Sequence, residues 1–257
     1  QHQQASAEFD PVSYRFEYAD LRKAYGDTWA GYYNHYVRWG KAAGLHGTGC
    51  TEMKGYVTVY GGLDYASVYD YNYYIAKYPE VANKIGYDDQ KVLNYFVEQG
   101  MAQHQQASAQ FDPVSYRFEY ADLRKAYGDT WAGYYNHYVR WGEAAGLHGT
   151  GCTELSGYAT VYAGNGLDYA AVYDYNYYIA KYPEVLNKVG YDDQKVLNYF
   201  VEQGMAQHQQ ASAEFDPVYY RNSNPSLQKA YGDTWAGYYN HYVRWGKAAG
   251  LQGAEQQ

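Results

Sequence analysis

Residues 26–40 read GDTWAGYYNHYVRWG, and the same fifteen letters return unchanged at residues 128–142 and 232–246. We call this stretch the strict segment. A related stretch, GYDDQKVLNYFVEQG, occupies residues 86–100 and 190–204 with the same distance between its end glycines, and we call it the loose segment. Self-similarity on this scale indicates a repeat protein, in which each unit contains one copy of the segment.

The strict segment has the pattern of an amphipathic helix. Asp27 stands where a side-chain acceptor can cap the first amides of a helix, and Gly40 stands where a glycine can cap the last turn. Tyr33, Tyr36, Val37 and Gly40 follow the i, i+3, i+4, i+7 spacing of one helix face. The pattern therefore predicts a helix that begins at Asp27, ends at Gly40 and buries this stripe.

The flanks of the stripe differ between the two segments, which indicates surface positions. Trp39 of the strict segment corresponds to Gln99 of the loose one, and a site that accepts both is expected to be exposed. Tyr32 lies seven positions before Trp39, near the same edge of the stripe, so the two rings are expected to form an exposed strip. The alternative is that both rings pack between adjacent units. The predicted ligand-binding residues are Tyr32, Trp39, Tyr134, Trp141, Tyr238 and Trp245.

Composition and charge exclude several classes of protein. The net charge of -8 and pI of about 5.4 lack the basic patch that nucleic-acid binding needs, so no nucleic acid is expected as a partner. No apolar run approaches the length of a membrane span, so no membrane insertion is expected either. The chain has 38 tyrosines but only 7 phenylalanines, so tyrosine rings are expected to build the core with their hydroxyls hydrogen-bonded.

The segments divide the chain into five units of about 40 residues, each too small to be stable without its neighbours. We predict an all-α tandem array of short helices with two short extended connectors. Residues 1–8 read as the tail of a preceding repeat. The repeats and connectors are predicted at residues 9–47 (repeat 1), 48–68 (connector), 69–108 (repeat 2), 111–149 (repeat 3), 150–172 (connector), 173–212 (repeat 4) and 215–253 (repeat 5).

Two local signals fix parts of this plan. Asp10 followed by Pro11 predicts an N-cap and the first position of a short helix, where the missing N–H of proline costs nothing. In the connector, residues 56–60 alternate as Tyr-Val-Thr-Val-Tyr between glycines, which is typical of a short strand or an extended segment.

The candidate chemistry favours a protein that is not an enzyme. His35, His137 and His241 correspond to tyrosines in the loose segments, which favours packing or hydrogen bonding over catalysis or metal binding. The carboxylate pairs, Glu17 with Asp20 and Asp88 with Asp89, lie beside helix starts or on predicted solvated faces, and capping explains them. The known catalytic motifs and phosphate-binding loops do not occur. No catalytic residue, metal site or cofactor is predicted.

The two cysteines, Cys50 and Cys152, occupy equivalent places in the two connectors. Two isolated thiols do not make a zinc site, which uses four ligands at close spacing. One disulfide between the connectors, two thiols and links to other chains all remain open, and we favour thiols because each repeat pair supplies one cysteine.

In the fifth unit, residues 215–220 read FDPVYY and 224–227 read NPSL, followed by AYG at 230–232 and by His241, Tyr242 and Gly246. With these motifs the unit resembles a Tyr-rich tandem repeat of bacterial secreted and surface proteins. The match covers nearly the whole chain except the connectors. The unit ends, QHQ at 103–105 and AGL at 43–45, depart from the Glu-Gly-Arg ending of the pattern. In Gram-positive gut bacteria similar units adjoin cell-wall hydrolases and glycan-active domains, so the resemblance implies a secreted or cell-surface location.

These observations predict a non-catalytic, surface-associated module that binds a polysaccharide or cell-wall glycan through repeated aromatic rings. Identical sites on one scaffold would add avidity to weak single contacts. A protein-binding adhesin is one alternative, with a host protein such as immunoglobulin as its partner, because Tyr, Trp and Arg dominate protein interfaces. A structural spacer with internal rings is the other.

Overall fold

The computed structural model describes residues 3–4 and 6–255 of the chain. Gln1, His2 and Ala5, which belong to the predicted repeat tail at 1–8, lie outside the described residues. The described chain is all-α apart from two small hairpins, and its helices follow the sequence repeats. The predicted fold class is therefore confirmed. None of the described helices has the length and apolarity needed to cross a membrane.

Each repeat contains three short α-helices, and a π-helical turn extends the third. In repeat 1 these are α1 (Pro11–Glu17), α2 (Ala19–Tyr25) and α3 (Trp29–His35) with its π-turn Tyr36–Gly40. In repeat 2 they are α4 (Tyr71–Lys77), α5 (Pro79–Ile85) and α6 (Asp89–Tyr95) with Phe96–Gly100. In repeat 3 they are α7 (Pro113–Glu119), α8 (Ala121–Tyr127) and α9 (Trp131–His137) with Tyr138–Gly142.

Repeats 4 and 5 have the same order of elements. Repeat 4 contains α10 (Tyr175–Lys181), α11 (Glu184–Val189) and α12 (Asp193–Tyr199) with Phe200–Gly204 and a 3₁₀ turn, Met205–Gln207. Repeat 5 contains α13 (Pro217–Ser223), α14 (Pro225–Tyr231) and α15 (Ala236–His241) with Tyr242–Gly246.

The chain forms two compact units whose boundary does not follow the repeats. Unit 1 takes in the chain up to Arg117 together with Thr130–Gly151, and unit 2 takes in Phe118–Asp129 together with the chain from Cys152. In unit 1, the core of repeat 1 is built from the buried rings of Phe9, Tyr14 and Tyr32, with half-buried aromatic rings packed around them.

The first helix of repeat 1 begins as the sequence predicts. Asp10 has an extended backbone, its carboxylate accepts from the Val12 N–H at 2.9 Å, and Pro11 occupies the first helical position. Asp216 caps α13 in the same way. This part of the sequence analysis is confirmed.

The predicted N-cap of the third helix is wrong for the strict segment. The cap position of α3 is Thr28, which makes no side-chain capping bond, whereas Asp27 forms an ion pair with Arg15 at 3.2 Å and one with Lys91 at 2.5 Å. In the loose segment Asp88 does cap α6, accepting from the Lys91 N–H at 3.0 Å. Asp27 pairs with Arg15 instead of capping the helix, because the buried guanidinium of Arg15 needs a carboxylate partner.

Gly40 is not a C-terminal cap, contrary to the sequence prediction. The Lys41 N–H donates to the Tyr36 carbonyl at 2.9 Å, an i→i+5 bond that closes the π-turn, and Lys41 is still right-handed helical. The left-handed residue that ends the turns is Gly44, with a φ of 74°, and its counterpart in the loose repeat 2 is His104, with a φ of 47°. Gly40 serves instead as a point of close approach for another helix.

The predicted core stripe is correct at Gly40, which is buried, but not at Val37, which is 78 % exposed. Val97, Val139 and Val243 lie at the same place in the other π-turns and are half-buried, so the strong exposure of Val37 is particular to repeat 1. In the loose segment Leu93 and Phe96 of the same stripe are fully buried.

Each connector contains a two-stranded antiparallel hairpin. In unit 1, β1 (Val59–Tyr60) pairs with β2 (Leu63–Asp64), and the two turn residues, Gly61 and Gly62, both have positive φ. Two positive φ values in a two-residue turn match the twist of a hairpin, which explains the glycine pair. In unit 2, β3 (Val161–Tyr162) pairs with β4 (Leu167–Asp168) across a longer turn.

Candidate functional site

The exposed aromatic surface of this chain is formed by one tryptophan in each strict repeat. Trp39, Trp141 and Trp245 are 56 %, 59 % and 57 % exposed. Each lies in the π-turn that follows the third helix. The three exposed fractions are nearly equal, so the exposure of the tryptophan does not depend on where the repeat lies in the chain or on which repeat is next to it. The expectation that these rings are exposed is confirmed, and packing between repeats does not account for them.

The tyrosines that were expected beside them are buried. Tyr32, Tyr134 and Tyr238 have no exposed surface, and the Tyr32 hydroxyl donates to the Gly26 carbonyl at 2.8 Å. The expected Tyr–Trp strip is therefore wrong. Seven positions return to the same face only in a continuous α-helix, and the π-turn between Tyr32 and Trp39 rotates the second ring outward.

A hydrogen-bonded histidine stands behind each exposed tryptophan. Nδ1 of His35 lies 2.9 Å from the Tyr14 hydroxyl, and the His35 ring centroid lies 5.9 Å from that of Trp39. The same pairs recur in the other strict repeats, with hydroxyl-to-nitrogen distances of 2.8 Å at Tyr116–His137 and Tyr220–His241. A ring held by a fixed neighbour is partly pre-organised for a ligand, which lowers the entropy that binding costs.

These contacts confirm the hydrogen-bonding role expected for the histidines. Burial lowers the pKa of His137 and His241 below the usual 6.5, so both rings stay neutral at pH 7. Tyr14, Tyr116 and Tyr220 were not identified from sequence. The constant separation of 21 residues between tyrosine and histidine in all three strict repeats is the signal that would have found them.

Two other exposed side chains flank the tryptophan in repeat 1. The guanidinium of Arg38 lies 5.9 Å from the centroid of the Trp39 ring, within the range of a cation–π contact. Val37, on the other side of Arg38 in sequence, is the most exposed large apolar residue described. The π-turn thus presents an aliphatic group, five N–H donors and an indole side by side.

The loose repeats present a polar surface at the same place. Glu98 and Gln99 replace the arginine and tryptophan, and both are exposed. The Glu98 carboxylate accepts from the Tyr60 hydroxyl of the hairpin at 2.9 Å, and Glu202 accepts from Tyr162 at 2.7 Å. The aromatic surface is therefore a property of the strict repeats alone.

Of the carboxylates expected to cap helices, Asp88 does so, whereas Glu17 and Asp89 have other partners. Asp88 is a helix cap, and Asp89 accepts from the Val57 N–H of the connector at 3.0 Å. Glu17 forms an ion pair with Lys54 at 2.8 Å, and this contact keeps the pKa of Glu17 below its usual 4.5. Among residues 3–4 and 6–255, no group of three or more His, Cys, Asp and Glu side chains is arranged to hold a metal ion.

Both cysteines are thiols rather than halves of a disulfide. The sulfur of Cys50 donates to the Glu52 carbonyl at 3.0 Å, and that of Cys152 donates to the Glu154 carbonyl at 3.2 Å. Burial is the main cause that raises the pKa of Cys50 above 9.0, so its thiolate is scarce at neutral pH. A disulfide between the two connectors is therefore not formed within the chain.

A groove of about 670 Å³ in unit 1 lies between the connector and helices α4 and α5. Its lining includes Glu52, Asn72, Tyr73 and Ala82. The Asn72 amide is already used, since its oxygen accepts from the Met53 N–H at 2.7 Å and its nitrogen donates to the Met53 carbonyl at 3.1 Å.

Comparison of the chain with protein-family models, with curated proteins and with solved structures found no match. The resemblance to a bacterial surface repeat thus stays an expectation from the motifs, and the exposed tryptophans are the feature from which a function must be argued.

Proposed function

We propose that this chain is a non-catalytic, surface-associated repeat module that binds a polysaccharide or cell-wall glycan through Trp39, Trp141 and Trp245. The observation that carries the proposal is the nearly equal exposure of these three rings, at 56 %, 59 % and 57 %. A large apolar ring left in water in every strict repeat costs free energy unless a partner covers it.

Glycan binding suits the chemistry around the rings. A flat indole stacks on the apolar face of a sugar ring, and neighbouring donors fix its orientation. Arg38 supplies such donors beside Trp39, and the His35 ring lies at 5.9 Å on the protein side. The net charge of -8 disfavours a strongly acidic polymer and favours a neutral or weakly charged glycan.

Repetition gives the proposal its energetic basis. One stacked sugar binds weakly, but three identical sites on one chain raise the effective concentration for the second and third contacts. A polymer with repeating sugars can engage several of them. The proposed location is the surface of, or outside, a Gram-positive bacterial cell, in keeping with the resemblance of the repeats.

A protein partner is the second candidate, favoured by the exposed Val37, Arg38 and Trp39 side by side in repeat 1. Arg and Trp are enriched among the residues that dominate protein interfaces. A host protein such as immunoglobulin is the partner class for this candidate.

The test is binding of the intact chain to a panel of immobilised polysaccharides, peptidoglycan and serum proteins. The triple variant W39A/W141A/W245A is compared with Q99A/Q203A, which changes the same helix position in the loose repeats. Glycan binding that the triple variant loses and Q99A/Q203A keeps supports the proposal. Glycan binding that survives in the triple variant would falsify it, and binding to a serum protein alone would favour the adhesin. An absence of binding to every member of the panel would favour the structural spacer.

A further inference from the structure

The structure contains two internal joints at which a loose repeat precedes a strict one. In unit 1 the ring of Phe96 meets Tyr135 with centroids 5.6 Å apart, and the Tyr135 hydroxyl donates to the Gln105 carbonyl at 2.8 Å. In unit 2 Phe200 meets Tyr239 at 5.7 Å, and the Tyr239 hydroxyl donates to Gln209 at 2.9 Å. Both joints therefore use the same interface, in which a phenylalanine of the loose repeat packs on a tyrosine of the strict repeat.

The hairpin before each loose repeat also takes part in this interface. The Tyr65 hydroxyl donates to Oδ1 of Asn136 at 3.1 Å in unit 1, and the Tyr169 hydroxyl donates to Oδ1 of Asn240 at 2.8 Å in unit 2. Each strict repeat in these joints therefore offers a tyrosine and an asparagine, and the preceding repeat covers both.

Repeat 1 has the same residues, and the part of the chain that the structure describes covers them less. Tyr33 is half-buried, whereas its counterparts Tyr135 and Tyr239 have no exposed surface. Asn34 is exposed, and Val37 is 78 % exposed while its counterparts in repeats 3 and 5 are half-buried. The Tyr33 hydroxyl already donates to the Gln3 carbonyl, which corresponds to Gln105 and Gln209. We name the surface of Tyr33, Asn34 and Val37 the upstream face.

We propose that the upstream face of repeat 1 is a docking surface for a further repeat of the loose type, joined through the link that contains Gln3. The occupant brings a phenylalanine at the start of its π-turn to cover Tyr33 and a hairpin tyrosine to donate to Asn34. Both contacts are those of the internal joints, so the proposal extends an interface that the structure already contains twice.

Repeat 5 differs from repeat 1 in the side chains that would contact a following repeat. Phe16 of repeat 1 packs on Tyr71 and Tyr87 of the next repeat, with ring centroids 6.1 and 5.8 Å apart. The equivalent residue of repeat 5 is Asn222, which is exposed. Gln228 likewise corresponds to Arg22, which in repeat 1 donates hydrogen bonds to carbonyl groups of the connector. Polar residues therefore stand in repeat 5 at the positions through which repeat 1 contacts the repeat that follows it.

The test places a copy of residues 49–102 directly before Gln1, which reproduces the sequence of the joint between repeats 2 and 3. Amide hydrogen exchange is then followed in the third helix of repeat 1. Repeats 1 and 3 differ within 9–50 and 111–152 only at Lys41 and Glu143, and His46 of repeat 1 corresponds to Gln252 of repeat 5. The peptides 29–46 and 131–148 are therefore each unique in the chain. The control is the same extension with Phe→Asp at the position copied from Phe96.

We expect the peptide 29–46 of the unextended chain to exchange about tenfold faster than 131–148 and to slow to a similar rate in the extended chain, but not in the control. Equal exchange before and after extension, or equal protection by the control, would overturn the proposal. Concentration-dependent protection in the unextended chain would also overturn it, since a second copy would then be the occupant.

A second measurement does not depend on the extension. Y135S removes a ring that the preceding repeat covers. We expect the midpoint of thermal unfolding of the part of the chain that contains this ring to fall by about 6–12 °C. Y33S removes the corresponding half-covered ring and is expected to lower the midpoint by less than half as much. Equal shifts for the two variants would mean that the upstream face is already packed, and the proposal would then fail.

Discussion

The hydroxyl of Tyr116 occupies the space that a β-carbon on Gly142 would need, because such a carbon would lie 2.5 Å from the hydroxyl oxygen. The same relationship holds in the other repeats, where the glycine that ends each segment faces the tyrosine of the first helix. We expect Gly142→Ala to destabilise the protein by about 1–3 kcal/mol, since overpacking outweighs the gain of about 1 kcal/mol in helix propensity. Chemical denaturation measures the change.

The control for this prediction is a double-mutant cycle with Tyr116→Phe. Without the hydroxyl the nearest atom of the same ring lies 3.5 Å from the added carbon, an ordinary contact. The alanine should therefore cost less in the Tyr116→Phe background than in the original chain, by about 1 kcal/mol. Additive effects would show that the close approach is not the reason for the glycine.

The glycine that ends each segment also shows which features of the fold could be predicted from the sequence and which could not. Repetition and local signals, such as Asp10 before Pro11, predicted the repeats and helix starts because capping depends on neighbours in sequence. The role of Gly40 depends on Tyr14, which comes from another helix, so the local pattern suggested a cap instead. The π-turn also turns Trp39 away from the face of the buried Tyr32, against their α-helical spacing of seven positions.

The exposure of Trp39 was predictable for a different reason. The position of Trp39 holds Gln99 in the loose segment, and a position that accepts both residues is expected to be exposed. This inference does not depend on the helix geometry. The upstream face was not predictable, because the sequences of repeats 1 and 3 are nearly identical and only the packing of neighbours distinguishes Tyr33 from Tyr135.

The tyrosine core predicts loss of stability at alkaline pH. Burial is the largest cause that raises the pKa of Tyr14 and Tyr220 to about 12, above the ordinary 10.0. A raised pKa in the folded state means that the stabilisation is fully present below pH 10 and is lost as the pH rises through about 12, because the unfolded chain releases its phenolic protons first. Unfolding should therefore become progressively easier above pH 10.

Absorbance of the phenolate and circular dichroism, recorded together during a titration from pH 8 to about 13, measure this effect. We expect a fraction of the 38 tyrosines to ionise early and the rest together with the loss of helix. Ionisation of all tyrosines near pH 10 with the helices intact would contradict the prediction. Tyr14→Phe is the matched variant, and it should remove one late-titrating group.

Arg22 is predicted to hold the first connector in place. Its Nη1 donates to the carbonyls of Arg15 and Phe16, each at 3.0 Å, while Nη2 donates to those of Lys54 at 2.5 Å and Gly55 at 3.1 Å. Arg22→Lys keeps the charge but loses the planar fork, so we expect a loss of about 1–3 kcal/mol. Limited proteolysis should then cut faster near Gly55.

The variant Lys23→Gln, at an exposed neighbour on the same helix, is the control and should leave the cleavage rate unchanged. Equal cleavage in Arg22→Lys and in the original chain would show that the connector is held by its other contacts, such as the bond from the Val57 N–H to Asp89.

The last prediction concerns the six tryptophans, which the structure divides by exposure. Trp39, Trp141 and Trp245 are more than half exposed, whereas Trp131 is 8 % exposed and the other two are half-buried. A soluble quencher such as acrylamide should therefore reach one group first. In the variant W39F/W141F/W245F the remaining fluorescence should be quenched about 2–4 times less efficiently, because contact with the quencher requires accessible ring surface.

Phenylalanine is used here so that an aromatic ring stays at each site and the fold is kept. Because the exposed rings lie in the π-turns and not between repeats, a ligand that covers them should protect the original chain from the quencher and leave the quenching of the variant unchanged. Quenching that is equally efficient in the two proteins would mean that the second group of tryptophans is as accessible as the first, and the division on which the proposed binding site rests would be lost.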